Sequence, residues 1–70
     1  MNFATQSDKF RAAEILAHLA NVGKQTAAQL AETIDCNTVI AYTIVEGLVA
    51  SGKARRAGRS VGYTLYALAA

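Results

Sequence analysis

The chain has no proline, one cysteine, one histidine and no acidic residue after Glu46. Each shortage closes an option. Without proline no segment marks itself as a rigid linker or a disordered tail, and without an internal repeat the 70 residues read as a single domain, 1–70. Cys36 has no intrachain disulfide partner, and Cys36 with His18 falls short of the four ligands of a usual zinc site. A lone cysteine fits a reducing compartment, so the expected location is cytoplasmic. No apolar run reaches the length that spans a bilayer, and no basic segment leads into an apolar stretch with a cleavage site at the N-terminus. No membrane partner is expected.

The same shortages argue against catalysis. A single histidine cannot assemble a nucleophile, a base and an orienting third group, and phosphate-loop glycine spacing is absent. Of the residues that make the chain 53% hydrophobic, 15 are alanine, so few large side chains remain to build a core or wall a substrate cavity. The expectation is a non-enzyme with no cofactor, no metal and no small-molecule substrate.

What is present is an uneven charge. Residues 1–46 carry three basic and five acidic side chains, whereas residues 47–70 carry four basic ones and no acid. Hydrophobic periodicity predicts a first helix over about 8–22, capped by Ser7 or Asp8, with Ala12, Ile15, Leu16 and Leu19 on one face. Phe10, Ala13 and Ala17 widen that face, Arg11, Glu14 and His18 form a solvated stripe, and Gly23 ends the helix. Thr26 and Gln29 have the spacing of a capping box and start a second helix over 27–34, whose apolar stripe is Ala27, Leu30, Ala31 and Ile34. Asn37 is positioned to cap a third.

Residues 38–45 are rich in β-branched side chains and would suit a strand. The pattern nevertheless runs without a turn signal to Gly52, and Ile40, Ala41, Ile44, Val45 and Leu48 recur at helical spacing, which predicts a third helix over 38–51. Beyond Gly52, two short β-type runs over 53–68 flank a turn region holding Gly58, Arg59, Ser60 and Gly62. They predict a two-stranded hairpin with Tyr63, Leu65 and Ala67 on one side and Thr64, Tyr66 and Leu68 on the other. Alanines at 13, 17, 31 and 41 read as spacers that let the helices close on one another.

The order of three helices and a basic hairpin resembles a winged helix-turn-helix, an α+β, mainly α fold. The residues behind the resemblance are Thr26, Leu30, Ala31, Glu32, Ile34, Cys36, Asn37, Ala41, Val45, Leu48 and Gly52, followed by a basic wing of Lys53, Arg55, Arg56, Arg59, Gly62 and Tyr63. Size and element order are most similar to the PapI/FaeA-like pilus regulators. That similarity implies a small transcriptional regulator acting with a larger DNA-binding protein, the leucine-responsive regulator, at a methylation-sensitive promoter.

In a helix-turn-helix the second helix of the motif enters the major groove. Here that helix would offer Thr38, Val39, Tyr42, Thr43 and Glu46, with Asn37 and Thr38 able to hydrogen-bond a base or phosphate and Val39 able to meet a thymine methyl. It holds no Lys or Arg, and Glu46 would repel phosphates. Attraction to double-stranded DNA would therefore come from Lys53, Arg55, Arg56 and Arg59, with Lys24 a fifth cation and Arg59 at the loop tip suited to the minor groove. So few cations imply help from a dimer or a larger DNA-binding regulator. Plainer readings stand beside these: lysines and arginines blunt a strand edge, Tyr42 sits at the core rim, and Cys36 plugs the turn. A second functional reading is a winged-helix adaptor or inhibitor that docks on a larger regulator or nucleic-acid enzyme through Val39 and Tyr42.

Overall fold

The computed structural model describes residues 3–69, with side chains from residue 9 onward. Three helices, α1 (Phe3–Val22), α2 (Ala27–Thr33) and α3 (Thr38–Ala50), precede strands β2 (Ala54–Ser60) and β3 (Tyr63–Leu68), and a two-residue strand β1 (Gln25–Thr26) lies between α1 and α2. The strands form one antiparallel sheet in the order β1-β3-β2.

α1 begins at Phe3, five residues before the expected start, so Ser7 and Asp8 lie inside the helix and do not cap it. Neither proline nor glycine occurs before Gly23 to stop the helix from extending. At the other end the Gly23 amide donates to the Leu19 carbonyl at 3.0 Å, which closes the helix in the left-handed C-terminal motif.

The Thr26 capping box forms as the spacing predicts: the Thr26 amide donates to Gln29 Oε1 at 2.9 Å, and the Gln29 amide donates to Thr26 Oγ1 at 3.2 Å. α2 then ends in a Schellman motif, with the Cys36 amide donating to the Ala31 carbonyl at 3.0 Å and the Asp35 amide to Glu32 at 3.4 Å. Asp35 takes the left-handed position at φ 56°, which short polar side chains tolerate. Asn37 caps α3 by accepting from the Ile40 amide at 2.8 Å, and the chain turns through 110° between α2 and α3. That angle is the one a helix-turn-helix requires. The β-branched run 38–45 is helical, because its spacing buries Ala41 and Val45 on a single face. α3 ends in a second Schellman motif at Gly52, φ 81°, a conformation that costs a residue without a Cβ little.

One core joins all the layers: Ile15 and Leu19 from α1, Leu30, Ala31 and Ile34 around α2, Ala41, Val45 and Leu48 from α3, Ala54 from β2 and Tyr66 from β3. Cys36 packs half-buried against it. Two expectations fail at α1. Phe10 is 74% exposed, and Ala13 and Ala17 are exposed as well, because α3 and β3, the elements packed on α1, cover only the stripe through residues 12, 15, 16 and 19. The spacer role falls to Ala31 and Ala41 alone. His18 is half-buried rather than solvated, with Nε2 at 3.2 Å from Thr33 Oγ1. Thr33 Oγ1 also donates to the Gln29 carbonyl at 3.1 Å, and its contact with His18 links α1 to α2.

The hairpin departs from expectation at its turn. Pairing continues to Ser60↔Tyr63, which leaves Val61 and Gly62 as the two-residue turn and places Gly58, Arg59 and Ser60 inside β2. Both turn residues have positive φ, 50° and 84°, as a type I′ hairpin demands. Asn-Gly usually fills such a turn, and a valine there carries backbone strain.

Candidate nucleic-acid interface

α3 is held by its buried face, so its other face is fixed in orientation. Thr38, Val39, Tyr42 and Thr43 are all exposed there, Val39 by 73% and Tyr42 by 52%. Val39, Tyr42 and Thr43 stand at i, i+3 and i+4 and form a single surface, which one further turn brings to Glu46.

Local hydrogen bonds restrict what this surface offers. Thr43 Oγ1 donates to the Val39 carbonyl at 2.9 Å, so the hydroxyl is turned back into the helix. Asn37 Oδ1 is occupied by the cap. Thr38 and Tyr42 keep a hydroxyl each.

Glu46 does not stand as the bare negative charge expected from the sequence. Arg56 Nε donates to Glu46 Oε2 at 3.2 Å, Arg56 Nη2 donates to Oε1, and the Tyr66 hydroxyl donates to Oε2 at 2.5 Å. The hydrogen bond from Arg56, and then that from Tyr66, hold the Glu46 carboxyl below its ordinary value. Burial first, and then the bond to Glu46, push the Tyr66 phenol well above its ordinary value. The residues involved lie 10 and 20 positions apart, with no local pattern to mark them. Only the opposite signs of Glu46 and Arg56 hint at a pairing.

The wing cations are arranged by a β-bulge. Arg56 pairs with Tyr66 and Arg59 with Thr64, so Ala57 and Gly58 together oppose the single residue Leu65. Cross-strand partners share a face, and Thr64 and Tyr66 alternate onto the same one. The extra residue thus brings Arg59 to the side of Arg56, toward α3, while Arg55 with its partner Ala67 lies on the opposite side. Arg59 Nη2 also donates to the Gly62 carbonyl at 3.1 Å, bracing the turn. Lys53, Arg55, Arg56 and Arg59 are all exposed. Lys24, also exposed, precedes β1 at the other edge of the sheet, so the central strand β3 separates it from the wing arginines.

Between α3 and the wing lies a groove of about 370 Å³, lined by Ala27 and Ala28 of α2, Val39 and Tyr42 of α3, and Tyr63 and Tyr66 of β3 among others. Neither the groove nor the exposure of Val61 and Tyr63 beside it follows from the sequence reading; the Val-Gly-Tyr order at the turn is the available signal. Among the described residues no group of His, Cys, Asp and Glu side chains comes together to hold a metal ion.

No family model matches the chain, and no curated protein does. A solved structure does: a MarR family transcriptional regulator from Silicibacter pomeroyi DSS, at TM-score 0.78 and 23% identity over 93% of this chain. The match takes in 44% of that protein, so this chain spans less than half its length. Two Schellman-closed helices meeting at 110°, a further helix packed across them and an antiparallel hairpin give the described residues a winged helix-turn-helix fold.

Proposed function

We propose that this chain is a small DNA-binding transcriptional regulator, with α3 in the major groove and the wing on the phosphate backbone or in the minor groove. The observation that carries the reading is the pairing of Glu46 with Arg56, which offsets the one acidic charge on the exposed face of α3 and leaves Arg59 on the wing face toward it, with Lys53 and Arg55 as further exposed cations of the wing. Asn37, Thr38, Val39, Tyr42 and Thr43 are the residues proposed to face the bases, and Lys24, Lys53, Arg55 and Arg59 the backbone, while Arg56 is held by Glu46. So few cations give modest affinity, so the reading includes a second copy or a larger DNA-binding regulator, as the PapI/FaeA-like resemblance implies, and action in the cytoplasm without catalysis.

The test is duplex binding measured over a range of salt. Removing charge at Lys53, Arg55 and Arg59 should weaken binding and flatten its salt dependence by roughly 0.9 for each phosphate no longer neutralised. Unchanged binding would overturn the wing assignment.

The groove favours a second reading, an adaptor that docks on a larger protein. Under it, Tyr42→Ala with Val39→Ala abolishes capture of a protein partner in a nuclease-treated pull-down and leaves DNA affinity untouched.

A further inference from the structure

On the reading that α3 enters the major groove, we infer that it selects its site through the C5 methyl groups of thymine rather than through hydrogen bonds to base edges. The exposed face has few polar groups left to offer. It carries no Lys, Arg, Gln or Asp, so the usual bidentate partners of guanine, adenine and cytosine are missing apart from Asn37. Asn37 commits its carbonyl oxygen to the Ile40 amide, and an asparagine needs both ends of its amide to pair with adenine. Thr43 commits its hydroxyl to the Val39 carbonyl, and what this exposed side chain presents is its methyl group. Glu46, which could accept from cytosine, is held by Arg56 and Tyr66.

Beside the two hydroxyls of Thr38 and Tyr42, which a base of any kind can meet, the i, i+3, i+4 surface holds the isopropyl group of Val39, the ring of Tyr42 and the methyl of Thr43. The thymine methyl is the one apolar group that base pairs display in the major groove. The cations of the wing hold the backbone beside this surface, which supplies the charge complementarity that an apolar face lacks.

The experiment selects a duplex from a random pool for tightest binding, then remakes it with deoxyuridine in place of each thymine. The thymine duplex should bind more tightly by about four-fold for each methyl group buried. Val39→Ala combined with Thr43→Ser should erase that preference, and Thr43→Val should retain it. Both sites are exposed, so the fold is not at stake. Equal binding of the two duplexes by the wild type overturns the inference, as does a preference that survives in the double variant, since DNA stiffness would then be its source. A pool that yields no enriched duplex removes the DNA-binding reading itself, a result distinct from either.

Discussion

Glu46 on α3 and Arg56 on β2 share two hydrogen bonds across the junction of helix and wing, and the buried Tyr66 donates a third to the same carboxylate. The arrangement ties the exposed surface of the helix to the hairpin and neutralises one positive and one negative charge against each other.

Glu46→Gln should release Arg56 without changing side-chain size. Under the DNA-binding reading the variant then neutralises one more phosphate, and the slope of log affinity against log salt steepens by about 0.9. A slope equal to that of the wild type would show that Arg56 meets no phosphate even when free.

Acid should loosen the fold through the same carboxylate. Its folded value lies below the ordinary 4.5, so the stabilisation is complete above 4.5 and is lost as pH falls through the folded value. Thermal melts taken downward from neutral pH should show a smaller acid effect in Glu46→Gln than in the wild type. Tyr66 works in the opposite sense: its value is raised, so its contribution is intact below the ordinary 10.0 and is lost above it, as the phenol ionises. A titration followed by phenolate absorbance through pH 10.0 should therefore leave Tyr66 protonated, whereas Glu46→Ala should shift its ionisation downward.

Val61→Asn should stabilise the protein. Valine at φ 50° is strained, its side chain is 93% exposed, and asparagine suits the first central position of a type I′ turn. A gain of about 1 kcal/mol raises the melting temperature of a domain this size by roughly 4–8 °C. No gain would mean that the turn relaxes at no cost to its neighbours.

Alanine enlargement should separate the buried spacers from the exposed ones. Ala41→Leu has no room at a fully buried position and should cost about 1–3 kcal/mol in denaturant unfolding. Ala17→Leu, on the exposed side of α1, should change stability by less than about 0.5 kcal/mol.

How much of this is legible in the sequence depends on the range of the interactions. Thr26 with Gln29, Asn37 with Ile40 and Gly52 after Ser51 are contacts within a few residues, and each forms as the spacing predicts. Helical periodicity also overrides the β-branched composition of 38–45, because burial of Ala41, Val45 and Leu48 outweighs intrinsic preference. The extent of the core on α1 is not legible: Phe10, Ala13 and Ala17 fit the helical period, yet nothing in their own sequence reveals that α3 and β3 reach only the neighbouring stripe. The wing is obscured for a related reason. A bulge at Ala57 and Gly58 alters which residues face α3, and strand composition carries no trace of that change in register beyond the glycine. The link from Glu46 to Arg56 and Tyr66 requires the whole topology.

That link also fixes how the helix and the hairpin sit relative to each other. Two surfaces joined by charge-assisted hydrogen bonds and a common core present themselves as one body, with their relative position settled at folding. Under the DNA-binding reading, recognition is then a matter of fit rather than of induced order, and the spacing between helix and hairpin acts as a fixed gauge for the duplex.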